Sequence, residues 1–267
     1  MAKPSKTWPL GLIVPVQHPT PFSVFLPEEW PQSLDHIQKS SYRVVELAIT
    51  DPSRLVVREL VTLLAQRGLK AVAFTTGQAA GLEGLSLSSL EDRVREQAVA
   101  RILAHAHMAQ QLDAVVIVGL LRGRNGDFSR LRESLQECVQ AYPSVRFALE
   151  PLNRYETSLI NTVAQALDFI EKLGAENLGL LFDTFHANIE ERSISDAIKA
   201  CGDRLFHVHL ADSNRWIPGF GHFVFPELWE ALEKIGYSGA LVLECFPRPH
   251  PEYLFPADEV RRRVGLS

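Results

Sequence analysis

Short apolar segments recur eight times along this 267-residue chain and alternate with segments whose apolar residues are spaced as on one face of a helix. Most of these segments are continuous apolar runs, which is typical of parallel strands that are buried on both faces. Eight strand–helix repeats in about 250 residues favour a closed barrel. The sequence therefore predicts a single (β/α)8 TIM barrel over residues 1–267. The alternative, an open doubly wound sheet, is disfavoured because no G-x-G-x-x-G motif follows the first strand.

The boundaries of these elements follow from the apolar segments and from the residues that begin or end helices. Predicted strands cover residues 11–16, 43–49, 69–75, 113–120, 145–150, 178–183, 205–212 and 239–246. Predicted helices cover residues 33–40, 57–68, 89–112, 129–142, 161–174, 194–202, 226–236 and 257–264. Ser89 is the predicted N-cap of the longest helix. Residues 76–89, which are polar and rich in glycine, are predicted to form a loop.

The composition limits the classes of protein to which the chain can belong. The formal net charge of -5 gives no basic surface of the kind that holds nucleic acid by its phosphates. No apolar run approaches the roughly 20 residues needed to span a bilayer. The three widely spaced cysteines predict neither a disulfide framework nor a CxxC metal site, and the N-terminus lacks the apolar stretch of a signal peptide. We therefore expect a cytoplasmic protein that binds neither nucleic acid nor a membrane.

Side chains that can bind a metal ion end the last four predicted strands. The active site of a barrel forms at the carboxyl ends of its strands, and strands five to eight carry Glu150, Asp183, His209 and Glu244 at or near these ends. Taken alone, each residue could have a purely structural role: the acidic residues could lie in turns, and His207 and His209 could be histidines of the core. Because all four lie in register, the sequence predicts a divalent metal site. Three carboxylates and one imidazole favour Mn²⁺, with Mg²⁺ or Co²⁺ as alternatives.

Four motifs resemble a known family: ALEPLNRYE, FDTFHANIEE, HVHLADSNR and LVLECF. In these motifs, and along residues 145–246, the chain resembles the xylose isomerase-like TIM barrel superfamily. It is most similar there to the D-tagatose/D-psicose 3-epimerase group of ketose epimerases. The resemblance is looser over the first 125 residues, where it includes Glu46 on the second predicted strand.

The resemblance implies a metal-dependent isomerase that inverts C3 of a ketose through an enediolate intermediate. It implies that the metal is bound by Glu150, Asp183, His209 and Glu244, that Glu150 and Glu244 are the catalytic acid/base pair, and that the sugar is contacted by Glu156, His186 and Arg215. Proton transfer by two carboxylates and stabilisation of the enediolate by a metal ion agree with this chemistry. A homodimer or homotetramer follows from the resemblance alone.

Three other functions use a similar barrel. An aldose–ketose isomerase resembling hydroxypyruvate isomerase would use the same metal and the same glutamates. An abasic-site endonuclease would need further histidines, which segments 75–77 and 118–120 do not supply. A non-catalytic sugar-binding barrel would be expected to lack one of the two glutamates, and both are present. The sequence does not decide which sugar is the substrate or whether that sugar is phosphorylated, since Arg122, Arg124 and Arg215 are all candidates for binding a phosphate.

Overall fold

Eight parallel strands close into a barrel in the computed structural model, which describes residues 7–250 and 252–266. The strands are β1 (Leu10–Pro15), β2 (Val44–Ala48), β3 (Lys70–Thr75), β4 (Val115–Val118), β5 (Phe147–Leu149), β6 (Leu178–Asp183), β7 (Leu205–Leu210) and β8 (Leu241–Leu243). Each strand pairs with the next along the chain, and β1 pairs with β8. The predicted (β/α)8 barrel is therefore confirmed.

Helices cover the outside of the barrel. They are α1 (Trp30–Lys39), α2 (Val57–Ala65), α3 (Gly77–Glu83), α4 (Asp92–Leu112), α5 (Phe128–Ala141), α6 (Val163–Leu173), α7 (Thr184–Glu190), α8 (Ile194–Cys201), α9 (Phe225–Lys234) and α10 (Ala257–Val264). Short 3-10 helices cover Pro27–Glu29, Pro52–Arg54, Leu120–Arg122 and Gly202–Arg204. Buried apolar side chains of helices and strands form one large core. Within the described residues, no helix is long and apolar enough to cross a bilayer.

Helices α3 and α7 are not among the helices predicted from the sequence. Segment 76–89 contains α3, so the predicted loop is wrong there; its glycines are typical of loops, and Gly84 ends the helix in a left-handed conformation with φ 69°. Helix α7 follows β6 directly. The Asp183 carboxylate accepts hydrogen bonds from the backbone N–H groups of Phe185 and His186 and so caps this helix.

The start of α4 also differs from the prediction. The helix begins at Asp92 with Glu91 as its N-cap, so the predicted N-cap at Ser89 is wrong. The Ser89 hydroxyl instead accepts a hydrogen bond from the backbone N–H of Glu91 at 3.1 Å, which makes a local turn before the helix. Strands β4 and β8 are shorter than predicted at both ends.

The side chains inside the barrel position the predicted site. Successive residues of a strand point to opposite faces, so inward positions recur every two residues. Ala148, Leu181 and Val242 belong to small apolar clusters separate from the large core. Two residues further along these strands, and at the equivalent position of β7, the chain has polar residues: Glu150, Asp183, Glu244 and His209. The four predicted ligands therefore share one end of the barrel interior, with Asp183 paired directly to His209.

Candidate metal centre

The four predicted metal ligands meet around the imidazole of His209. Its Nδ1 atom lies 3.4 Å from Glu244 Oε2 and 3.8 Å from both Glu150 Oε1 and Asp183 Oδ2. All four side chains are buried. The structure thus brings together every residue for which the sequence predicts a metal-binding role.

Several buried polar atoms of this cluster lack a hydrogen-bond partner among the described residues. They are Glu150 Oε1, Asp183 Oδ2, His186 Nε2 and His209 Nδ1. Leaving a buried polar atom without a partner costs free energy. One ligand atom from each of Glu150, Asp183, His186 and Glu244 lies within 4.8 Å of the others. A divalent cation would satisfy the carboxylate oxygens and an imidazole lone pair together, so the donor set fits a metal ion.

Burial and mutual repulsion perturb the ionisation of the three carboxyl groups. Burial raises the pKa of Glu150, and the neighbouring Glu244 raises it further. Burial also raises the pKa of Asp183 well above its ordinary value, again with a contribution from Glu244. For Glu244 itself, burial acts in the same direction, but His209 and Arg215 outweigh it and lower the pKa. Three carboxyl groups this close disfavour one another's charge, which is what a bound cation would relieve.

A carboxylate inside the barrel holds the other nitrogen of His209. Glu46 on β2 is fully buried, and its Oε2 atom accepts hydrogen bonds from His209 Nε2 at 2.9 Å and from His207 Nε2 at 2.8 Å. Burial alone would raise the pKa of Glu46, but the two histidines hold it well below its ordinary value. An ionised carboxylate can only accept, so His209 carries a hydrogen on Nε2. Burial lowers the pKa of His209, but Glu46 and Glu244 outweigh it and raise this pKa well above its ordinary value. The other nitrogen, Nδ1, faces the cluster, where a bound cation would take the place of its proton.

His186 has the opposite arrangement of hydrogens. Its Nδ1 atom accepts a hydrogen bond from the backbone N–H of Asn153 at 3.2 Å and lies 2.8 Å from the side-chain nitrogen of the same residue. Burial lowers the pKa of His186 to about 3, so the ring is neutral and its one hydrogen lies on Nε2. This nitrogen is 3.9 Å from Glu150 Oε1. His186 therefore contributes a hydrogen-bond donor to the cluster, and not a lone pair for a metal ion.

Glu156 and Arg215 form an ion pair beside the cluster. Arg215 donates from Nη1 to Glu156 Oε1 at 2.8 Å and from Nη2 to Glu244 Oε2 at 3.3 Å. Its guanidinium carbon lies 4.5 Å from the ring centroid of Phe22 and 4.8 Å from that of Phe185, within the range of cation–π attraction. The backbone of Arg215 is left-handed, with φ 62°. Such a conformation is uncommon for a residue other than glycine and occurs often at functional sites.

A cavity of about 300 Å³ adjoins the cluster, a volume typical of small-molecule sites. Its polar lining consists of Thr20, Thr75, Gln78, Glu150, Glu156, His186, Arg215 and Glu244. The rest of its lining is apolar or glycine, with Phe22 as its aromatic member. Of the four predicted metal ligands, Glu150 and Glu244 line the cavity, whereas Asp183 and His209 do not. Two carboxylates therefore belong both to the cluster and to the cavity.

Two parts of the site, Glu46 and Phe22, do not follow from residue patterns alone. The family resemblance includes Glu46, and a carboxylate within the apolar strand VVELA is the signal that marks it. Phe22 lies in a loop without a recognisable pattern. Arg122, one of the phosphate candidates, is fully buried and donates hydrogen bonds to the carbonyl oxygens of Glu150 and Ile160. It supports the chain beside the site and does not line the cavity.

The sequence of this chain matches a known protein family. A family model described as a xylose isomerase-like TIM barrel matches residues 34–262. The D-psicose 3-epimerase of Ruminiclostridium cellulolyticum is 32% identical over 231 residues, which cover 80% of this chain and 78% of that protein. The L-ribulose 3-epimerase of Mesorhizobium japonicum is 28% identical over 229 residues, which cover 82% of this chain and 76% of that protein.

The barrel also matches solved structures. A crystal structure of D-psicose 3-epimerase with D-tagatose, from Clostridium cellulolyticum H10, superposes with a TM-score of 0.75. The match covers 96% of this chain and 95% of that chain, at 24% sequence identity. At this identity the likeness shows a shared fold. Membership of the family rests on the family model and on the sequence relatives.

Proposed function

Because the chain belongs to the xylose isomerase-like TIM barrel family and, within it, to the ketose 3-epimerases, we propose that it is a metal-dependent isomerase that inverts C3 of a ketose. The observation that carries this proposal is that Glu150 and Glu244 both line the cavity and belong to the cluster. Inversion at one carbon requires two groups that exchange protons with its two faces. These two glutamates are the cluster carboxylates that a substrate in the cavity can reach.

Proton transfer is the role of the two glutamates. The hydrogen on C3 of a ketose lies next to the C2 carbonyl, and its removal leaves an enediolate whose negative charge is shared with oxygen. One glutamate removes this proton, and the other donates a proton to the opposite face of C3, so the configuration is inverted. The two glutamates exchange roles when the reaction runs in reverse.

The metal ion would be held by Glu150, Asp183, His209 and Glu244. The unpartnered atoms of the first three support this assignment, and an oxygen-rich donor set favours Mn²⁺, with Mg²⁺ and Co²⁺ as alternatives. A divalent ion at this place supplies Lewis-acid stabilisation of negative charge that develops on substrate oxygens.

The remaining polar wall of the cavity would bind the sugar near its carbonyl end. His186 offers its unpartnered Nε2–H as a donor to a sugar oxygen. Glu156 offers carboxylate oxygens to sugar hydroxyl groups, and Arg215 holds Glu156 in place at 2.8 Å. These contacts would fix the position of C3 relative to the two glutamates, on which the rate of proton transfer depends.

A free ketose fits the cavity better than a sugar phosphate. Among the described residues that line it, Arg215 is the one cation, and its guanidinium is already paired with Glu156 and Glu244. A phosphate group in this cavity would lose water without gaining a free cation, which is costly. Arg122 cannot supply that cation, because it is buried against carbonyl oxygens.

Exchange of hydrogen with solvent tests the proposal. Metal-stripped protein is loaded with Mn²⁺ and incubated in D₂O with a panel of free and phosphorylated ketoses, and NMR locates the deuterium. We expect deuterium at C3 of a free ketose together with the C3-inverted product. Deuterium at C1 with an aldose product would assign the site to an aldose–ketose isomerase. Binding of a ketose without exchange would indicate a sugar-binding barrel, and both of these results overturn the epimerase.

Matched variants test the two glutamates. Glu150→Gln and Glu244→Gln are each expected to lower the exchange rate by about 10²- to 10⁴-fold, the usual contribution of a positioned acid or base. Glu83→Gln removes the same charge from a residue that pairs with Arg101 and does not line the cavity. This control should exchange at the wild-type rate. Full C3 exchange by either active-site variant would show that its glutamate is not part of the pair.

A further inference from the structure

Glu46 is a carboxylate in an unusual place, the interior of a β-barrel. Barrel interiors are filled mainly by apolar side chains, and a buried carboxylate is costly unless donors surround it. Here the donors are present. The Thr75 hydroxyl donates to Oε1, and the imidazoles of His207 and His209 donate to Oε2. The barrel thus contains a complete hydrogen-bond network built on one charged residue.

The network holds a hydrogen on Nε2 of His209, so that Nδ1 is the nitrogen left to face a metal ion. An ionised carboxylate oxygen 2.9 Å from Nε2 requires a hydrogen on that atom. In the other tautomer the lone pair of Nε2 would face the carboxylate and repel it. The hydrogen on Nδ1 would then point at Glu244 Oε2, which is 3.4 Å away. A nitrogen that carries a hydrogen cannot bind a metal ion.

We infer that Glu46 is a positioning residue of the metal centre: it fixes the tautomer and the ring orientation of His209, so that Nδ1 offers a lone pair to the cation. The inference rests on the proposed function for the identity of the centre. Carboxylates that hold the second nitrogen of a metal-binding histidine change metal affinity or activity by 10- to 100-fold when they are altered. Among the four proposed ligands, His209 is the one that forms a hydrogen bond with Glu46 in the part of the chain that the structure describes.

His207 provides an internal control. It donates to the same oxygen of Glu46 at 2.8 Å, and its ring packs edge-on against that of His209, with centroids 5.1 Å apart. Among the described residues the ion pair of His207 is with Glu46, whereas His209 Nδ1 also lies within 4 Å of carboxylate oxygens of Glu150, Asp183 and Glu244. If Glu46 only stabilised the barrel, loss of its hydrogen bond to either histidine would change Mn²⁺ affinity to a similar extent. If Glu46 positions His209, loss of the bond to His209 lowers Mn²⁺ affinity and loss of the bond to His207 does not.

The first test uses the wild-type protein with Mg²⁺, a diamagnetic ion, bound. Spectra of Mg²⁺-loaded, full-length protein labelled with ¹⁵N-histidine report which ring nitrogen carries the hydrogen, and the His209 signal is assigned from its absence in His209→Gln. We expect the hydrogen on Nε2. A wild-type His209 with its hydrogen on Nδ1 would overturn the inference, whatever the stability of any variant.

The second test compares variants. Glu46→Gln places an amide where the carboxylate accepted two hydrogen bonds, so we expect the Nδ1-hydrogen tautomer of His209 to become populated. Mn²⁺ affinity, measured by calorimetry, should fall by about 10- to 100-fold, and Glu46→Asp should recover part of it. His207→Gln should keep the Nε2 tautomer and wild-type Mn²⁺ affinity even if urea unfolding shows lower stability. Equal losses of affinity in Glu46→Gln and His207→Gln would mean that the network only stabilises the barrel.

These readouts separate failure of the inference from failure of the proposed function. Protein that binds Mn²⁺ but exchanges no hydrogen with any sugar would overturn the epimerase and leave the role of Glu46 intact. An unchanged tautomer and unchanged Mn²⁺ affinity in Glu46→Gln would overturn the role of Glu46 and leave the epimerase intact.

Discussion

Gly119 leaves room for the Glu150 carboxylate, and the substitution Gly119→Ala tests how closely the position of that carboxylate is required. Gly119 follows β4 and lines the cavity. A Cβ atom built on it would lie 2.5 Å from Glu150 Oε2, whereas real Cβ atoms essentially never come within 3.0 Å of another heavy atom. The clash is with the far end of a flexible side chain and not with backbone. The alanine variant should therefore accommodate the new Cβ atom by displacing Glu150.

The size of the effect follows from this distance. The carboxylate must move by at least 3.0 − 2.5 = 0.5 Å. A misplacement of about 1 Å can cost 10²-fold in rate, so half of that distance corresponds to about a tenfold loss, or about 1.4 kcal/mol in activation free energy. We expect kcat/KM for C3 epimerisation to fall by about 10- to 100-fold. The Mn²⁺ affinity should fall as well, because Glu150 is one of the proposed ligands.

Gly81→Ala is the matched control for this experiment. Gly81 lies within α3, and a Cβ atom built there would have no heavy atom within 4 Å. We expect its kcat/KM and Mn²⁺ affinity to equal those of the wild type, and urea unfolding of both variants to show a folded protein. Wild-type kcat/KM and Mn²⁺ affinity in Gly119→Ala would refute the reasoning, because the carboxylate would then not need its observed position.

Three further predictions concern stability. Trp8 is fully buried against Trp229, so Trp8→Ala should lower the free energy of unfolding by about 3–5 kcal/mol in urea without changing kcat/KM. Thr162 caps α6 in a capping box, and Thr162→Ala should cost about 1 kcal/mol in the same measurement. Asp51 is the N-cap of the 3-10 helix Pro52–Arg54, and its carboxylate accepts hydrogen bonds from Ser53. Partial burial raises the pKa of Asp51, but these hydrogen bonds outweigh it and lower this pKa below its ordinary value. Its stabilisation, about 1 kcal/mol as a cap, is complete above about pH 4 and is lost as the pH falls through the lowered pKa. The stability difference between wild type and Asp51→Ala should therefore be constant from pH 7 to about pH 4 and narrow below it; a difference that widened there would contradict this assignment.

The sequence was most informative at the ends of the strands. Glu150, Asp183 and Glu244 each follow an apolar run, and the alternation of side chains along a strand directs each of them to the same side as an inward apolar residue. Once a barrel is predicted, its topology brings these positions together. The convergence of the predicted ligands therefore required no knowledge of distances, only a correct fold and correct strand ends.

Other parts of the site depend on contacts that local patterns do not show. Glu46 lies 161 and 163 positions before the two histidines that it holds, and the apolar run around it indicates only a strand. The roles of His186 and His209 cannot be separated by residue type. They differ because Asn153 donates to a nitrogen of one ring and Glu46 accepts from a nitrogen of the other. Helix α3 was missed because glycines near its ends resemble a loop.

Closure of the barrel explains how strand β2 takes part in the proposed metal centre on strands β5 to β8. Strand β2 is not a neighbour of β7 in the sheet, so Glu46 reaches the histidines across the interior. In register with Glu46 on β3 is Ala73, and the next inward position on β2 is Ala48. Alanine side chains at both places leave the interior volume that a long carboxylate side chain needs to cross the barrel. An open sheet with the same strands would present the four proposed ligands on one face, but nothing would hold Nε2 of His209 from the opposite side. The barrel therefore supplies the hydrogen-bond partner of a proposed ligand as well as the position of that ligand.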